Sequence, residues 1–238
     1  MLIESPRHAP EDLEAWREQS LVDPVTVRSK RYRRAVSQAV EEVTRFAETP
    51  CYASVSWGKD STVLAHLIAE HAPHVPLVWV RVEPIVNPDC ELVRDVFLAR
   101  YPSLDYHEIT SWASQDEHGA WHASGSLERG LAEAVERFGA RYITGIRAEE
   151  SGPRKMRCAM HGLSTKHTCA PIGWWSGEFV FAYLYEHDLP IHPAYACLWG
   201  GLLKRERVRV TSLGGQRGTG FGRAEWEDRY YPEARGYR

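Results

Sequence analysis

The chain has 238 residues, 43% of them hydrophobic and 26% charged, with a formal net charge of −3. That length supports one sizeable core, and the mild acidity excludes a global pull towards nucleic acid or an anionic membrane. Five cysteines without a repeating spacing exclude a disulfide framework, and Val75–Val82, among the most apolar runs, is too short to span a bilayer.

In chain order, Met1–Pro24 is polar and interrupted by prolines, with no export signal. It is expected to be a loose arm with one short helix around Asp12–Gln19, and together with the cysteine usage it implies a cytoplasmic setting. From Val27 to Glu48 the apolar residues Tyr32, Val36, Ala39, Val40, Val43 and Phe46 fall at helical spacing, behind a basic start running from Arg28 to Arg34. Cys51–Ser56 reads as a short strand, and Thr62–Glu70 resumes helical spacing after the intervening Trp57–Ser61. Leu77–Val82 is apolar without alternation, the pattern of a parallel strand covered on both faces.

A helix over Glu91–Ala99 and a strand over Leu104–Ile109 follow, then an irregular polar loop over Ser111–Gly125. Leu127, Leu131, Val135 and Phe138 mark a helix that Gly139 closes, and Arg141–Thr144 begins a fourth strand. Glu149–Ile172 shows no period and is expected to be a long functional loop. Ser176 is expected to cap a helix with Phe179, Val180, Tyr183 and Leu184 on its apolar face. From Lys204 the chain is basic, then Gly-rich, then aromatic. Strands alternating with helices predict α/β architecture with right-handed crossovers. The expected domains are an arm over 1–26, a main α/β domain over 27–200 and a tail over 201–238.

The segment Ser56-Trp57-Gly58-Lys59-Asp60-Ser61 leaves a strand and opens a helix. Such a corner presents free backbone N–H groups and the positive end of the helix dipole to anionic oxygens. Gly58 allows close backbone approach, Lys59 adds a charge, and Ser56 and Ser61 add hydroxyls. Asp60 repels phosphate unless a cation intervenes, which points to Mg²⁺ bridging or to a helix-capping role. A Walker A loop is excluded, because Ala53 and Asp60 stand where it requires Gly and Ser or Thr.

The segment resembles the PP-loop signature SGGKDS of the adenine-nucleotide α-hydrolases, with Trp57 replacing the first glycine. Tyr142–Ser151 with Pro153 and Arg154 resembles the G-x-R-x-x-E-S-x-x-R block of the phosphoadenosine phosphosulfate (PAPS) reductase family. Ala170–Tyr195 resembles that family's PI-x-x-W to L-P-x-x-P-x-Y block. The resemblance implies a parallel five-stranded PP-loop sheet with helices on both faces and an irregular C-terminal tail. It implies an adenine nucleotide, ATP or PAPS/APS with Mg²⁺, held by Ser56, Trp57, Gly58, Lys59, Asp60, Ser61, Gly145, Arg147, Glu150, Ser151, Arg154 and Arg157. Lys59, Asp60 and Arg147 are the expected catalytic residues. Such relatives either reduce an adenylyl sulfate or cleave ATP between its α and β phosphates.

The family's reductases carry a C-terminal thiol, whereas no cysteine follows Cys197 here, and Gly214 and Gly215 stand where sulfur ligands are expected. No resident metal site and no iron–sulfur cluster are therefore expected. ATP cleavage that activates an acceptor, with a sulfur-donor protein as a candidate partner, is the leading expectation. An unconventional reductase and a nucleotide-sensing subunit are the alternatives.

Within Cys158-x2-His161-x5-His167-x-Cys169 the spacing is poor for zinc. Lys155, Arg157 and Lys166 beside it are candidates to lower a thiol pKa; two unremarkable loop cysteines are the competing reading. The basic runs Arg28–Arg34 and Lys204–Arg209 are read as solvated faces, with a nucleic-acid partner as the alternative. The Gly214–Gly222 stretch lacks a dinucleotide pattern and is a candidate lid. An oligomer stays open.

Overall fold

The computed structural model describes residues 1–119, 121–122, 125–210, 212–214 and 222–237. Five parallel strands form its sheet: β1 (Tyr52–Val55), β2 (Leu77–Glu83), β3 (Tyr106–Trp112), β6 (Tyr142–Thr144) and β7 (Thr168–Cys169), in the order β3-β2-β1-β6-β7. Strand β1 is central, with Ala53 in register with both Leu77 and Ile143. β2 joins one side of β1 and β6 the other, so the strand order reverses there, the position beyond whose C-terminal strand ends open α/β sheets bind ligands.

Alternate residues divide the interior into two layers. Ala53, Val55, Leu77, Trp79, Ile143 and Cys169 face the main core, formed with α3 (Lys30–Ala47), α4 (Lys59–His71), α5 (Asp89–Arg100) and α8 (Gly177–Glu186). Tyr52, Val78 and Ile109 face a smaller cluster under α6 (Ser126–Phe138), which contributes Ala134 and Phe138. Helices on both faces explain why β2 is apolar without alternation. Gly139 has φ +91° and its N–H bonds the Val135 carbonyl, closing α6 as its spacing predicts. Ser176 caps α8 through the Phe179 amide.

Several segments differ from expectation. Residues 1–27 carry α1 (Pro10–Ser20) and α2 (Asp23–Val27), and they are not loose. Leu2 bridges Ile191, Asp12 is buried against the Tyr230 hydroxyl, and Asp23 is buried against Arg205. Ser111 and Trp112 finish β3, and the expected loop beyond them contains the β4–β5 hairpin (Ser114–Gln115, Trp121–His122). Glu149–Ile172 holds α7 (Gly152–His161) and edge strand β7. β7 spans only two residues, too few to show a period. The tail expected to be irregular carries α9 (Arg223–Tyr230), whose Trp226 and Tyr230 are buried, and the following Tyr231 is fully buried against Asp89. Most of the Gly-rich candidate lid, including Gly215, Gly218 and Gly220, lies outside the described residues. No helix among the described residues is long and apolar enough to cross a membrane.

Candidate functional site

Strand β1 ends at Val55 and α4 begins at Lys59, so the motif forms the strand-to-helix corner at the reversal point of the sheet. Trp57 has φ +58°, a left-handed conformation that costs a non-glycine residue roughly 1–2 kcal/mol. Its indole is fully buried, lies 5.5 Å from the Phe97 ring, and donates from Nε1 to the Tyr106 hydroxyl at 3.2 Å. Burying a large side chain is worth about 1.5–3 kcal/mol, enough to hold this backbone where the signature has glycine. Tyr106 in turn donates to Glu108 at 2.8 Å. Trp57 thus shapes the loop by its backbone, and its side chain belongs to the core.

The first amides of α4 are the donors of interest. Thr62 N bonds the Gly58 carbonyl, and Lys59 N bonds the Tyr195 hydroxyl at 3.0 Å. The amides of Asp60 and Ser61 make no hydrogen bond within the described chain. One donor is thus already occupied by a side chain, and two remain for an anion. Burial pushes the Tyr195 hydroxyl up to about 12, so it keeps its proton at neutral pH. It accepts from Lys59 N while retaining a donor of its own. Gly58 is tightly covered: a Cβ there would lie 3.0 Å from Val210 Cγ2 and 3.3 Å from the Tyr195 hydroxyl. Ser56 is exposed, and Ser61 Oγ donates back to the Gly58 carbonyl at 3.0 Å.

Charge at the corner balances internally. Asp60 sits between Lys59 Nζ at 3.0 Å and Arg147 Nε at 2.5 Å. Burial alone would raise the Asp60 carboxyl, but Lys59 and Arg147 outweigh it and hold the carboxyl below its usual range. Burial likewise opposes the Lys59 ammonium, yet Tyr195 and Asp60 overcome it and the pKa is raised. The repulsion expected of Asp60 is thus offset by two protein cations, which do not leave its carboxylate fitted to bridge Mg²⁺. Helix capping is not its role either, since the N-cap is Gly58. No three His, Cys, Asp or Glu residues gather as a metal-binding group among the described residues.

The second block is brought directly onto this corner. A Cβ on Gly145 would meet the Asp60 carbonyl carbon and oxygen at 3.0 Å and the Ser61 nitrogen at 3.3 Å, so only glycine lets β6 approach α4 this closely. Arg147 is 2% exposed and anchored through Nη1 to Glu149 at 2.7 Å and to the Trp175 carbonyl at 3.2 Å. Glu150 accepts from Arg147 N at 2.9 Å and pairs with Arg154, while Ser151 caps α7. Arg157 stands apart. It donates to Thr168, which pairs with Tyr142 at the N-terminal end of β6, away from the C-terminal end where Gly145 meets α4.

All five cysteines are buried and unpaired. Burial pushes Cys169 up to about 12, the reverse of the activation that Lys155, Arg157 and Lys166 suggested. Cys158 is 1% exposed, against the Gly173 carbonyl. Sequence reasoning missed Tyr195, Val210 and the Tyr106–Glu108 pair. Only the Tyr195 position carries a signal, as the last residue of the third block.

Fold and corner together define a PP-loop nucleotide-binding protein. The chain belongs to the phosphoadenosine phosphosulfate reductase domain family, whose sequence model matches residues 50–215. It is 22% identical over 176 residues to a phosphoadenosine 5'-phosphosulfate reductase of Synechococcus sp., spanning 66% of this chain and 76% of that relative. It is 26% identical over 197 residues to an adenosine 5'-phosphosulfate reductase of Bacillus cereus, spanning 76% of this chain and 81% of the relative. The crystal structure of a PAPS reductase from Candida auris in phosphate complex shares the fold, with a TM-score of 0.51 and 16% identity over 72% of this chain and 86% of that one.

Proposed function

We propose that this chain binds ATP at the β1–α4 corner and cleaves it between the α and β phosphates, activating an acceptor. The observation that carries this reading is the pair of unbonded amides, Asp60 and Ser61, at the phosphate corner of a chain whose five thiols are all buried. Reduction of a sulfonucleotide needs an accessible thiolate to attack sulfur, whereas ATP cleavage needs donors and charge for phosphate. An acceptor nucleophile attacks the α phosphorus, the bond to the bridging oxygen breaks, and pyrophosphate leaves with the electron pair; a second nucleophile then attacks the adenylylated acceptor and AMP leaves with its electron pair. The Asp60 and Ser61 amides, the Tyr195 hydroxyl and Lys59 offset the charge that develops on the phosphate oxygens. Arg147 acts through Asp60 by fixing the first turn of α4. Magnesium would come as the counterion of the nucleotide's own phosphates and would screen their charge. A sulfur-donor protein remains a candidate partner.

The test is release of AMP and pyrophosphate from Mg·ATP across a panel of nucleophilic acceptors. Lys59→Ala removes a charge-assisted contact and is expected to weaken ATP binding by about 1.5–3 kcal/mol in calorimetry. The competing reading, reduction of adenylyl sulfate or its 3'-phosphorylated form, is favoured by what the relatives are named. Sulfite release without any AMP formation from ATP would replace the first reading with the second. Loss of that release in Cys158→Ser or Cys169→Ser would identify the thiol.

A further inference from the structure

A cavity of about 210 Å³ opens between the start of α3 and the segment leading into α8. Arg31, Arg34, Gln38, Trp174 and Phe179 line it, and no carboxylate does. Trp175, in its wall, gives its carbonyl to Arg147, which holds Asp60 of the corner, so two residues link cavity and loop. The volume is below the roughly 300–1,000 Å³ of sites that engulf a whole drug-sized ligand, and suits a single ring system. Trp174 is 49% exposed, an indole left at the rim where a flat partner stacks. The Arg31 guanidinium lies 5.7 Å from the Phe179 ring.

Folding does not account for these cations. Arg81, Arg94, Arg147 and Arg205 each pair with carboxylates, but Arg28, Lys30, Arg31, Arg33 and Arg34 form no ion pair among the described residues. The first turn of α3 has no acid, and the helix dipole disfavours cations there. A free mononucleotide would engage one or two of them, whereas Arg28 followed by four cations at the start of α3 makes a track for successive phosphates.

We infer that this surface binds single-stranded nucleic acid, one base entering the cavity and stacking on Trp174 while the backbone follows Arg31, Arg34 and their neighbours. The strand is thereby the acceptor class in the proposed reaction, a role that rests on that reading; strand binding itself does not.

Fluorescence anisotropy of labelled DNA and RNA strands of about ten nucleotides, without ATP, tests the inference. Affinity is expected to fall steeply between 50 and 200 mM salt, and Trp174→Ala to weaken it roughly tenfold. Arg31→Gln with Arg34→Gln is expected to lower the log–log salt slope by about 1.4, at roughly 0.7 per phosphate contact. Both variants should retain wild-type circular dichroism and calorimetric ATP affinity. No binding at low salt, wild-type affinity in both variants, equal binding of a duplex, or equally effective competition by AMP or CMP would each overturn it. Strand binding without ATP turnover removes the proposed reaction and leaves this surface; turnover without strand binding does the reverse.

Discussion

At the scale of single residues, the corner is built from contacts that tolerate little change. Gly145 and the first turn of α4 meet backbone to backbone, so an added methyl cannot be accommodated by rotating a flexible side chain. Gly145→Ala is expected to destabilise the protein by about 1–3 kcal/mol and to weaken ATP binding, because Asp60 and Ser61 carry the open amides. Chemical denaturation and calorimetry check both effects, and a variant with unchanged midpoint and affinity would refute the packing argument. Trp57 illustrates the converse: a residue poorly suited to its backbone angle is retained there by what its side chain buries. Sequence comparison with the PP-loop signature marks the substitution, but only the buried indole explains it.

Among elements, the helices outside the sheet are fastened by buried polar pairs. Arg205, fully buried, reaches Asp23 in α2 with both terminal nitrogens and lies 4.2 Å from the Phe181 ring of α8. Its placement corrects the reading of Lys204–Arg209 as a solvated face, since neighbours Lys204 and Arg207 are exposed while Arg205 is not. Removing one partner leaves the other charge buried alone. Arg205→Ala is therefore expected to cost about 3–5 kcal/mol in urea unfolding, whereas Arg207→Ala next to it should fall within about 0.5 kcal/mol of wild type. Equal losses would show that the ion pair is not what holds α2.

The whole molecule couples its stability to pH through two buried histidines. Burial pushes both His66 and His192 down to about 3 from 6.5. His66 lies against Tyr183 and His187, and His192 Nδ1 accepts from Ala194 N. A depressed folded pKa means the unfolded chain binds more protons between those values. Stability is therefore full above about 6.5 and is lost as pH falls towards 3, at up to about 1.4 kcal/mol per pH unit for each histidine. Urea midpoints measured at pH 7.5 and pH 5 should differ accordingly, and His66→Gln should flatten the dependence. Identical midpoints would mean these rings are already solvated in the folded state.

The amino-acid sequence by itself determined the parallel sheet, the corner after β1 and the family. Apolar continuity, helical spacing and the three ordered blocks are local properties, and local chemistry suffices to read them. It did not determine that α1, α2 and α9 are packed, because Asp12, Asp23 and Arg205 read as solvent-facing until a distant partner neutralises them. Nor did it show that Asp60 is balanced by Lys59 and Arg147, that Arg157 binds at the N-terminal end of the β6–β7 pair, or that Tyr195 occupies a loop amide. Each of those depends on which atoms come within about 3 Å across long stretches of chain. Short-range pattern carries no information about such distances; packing alone sets them.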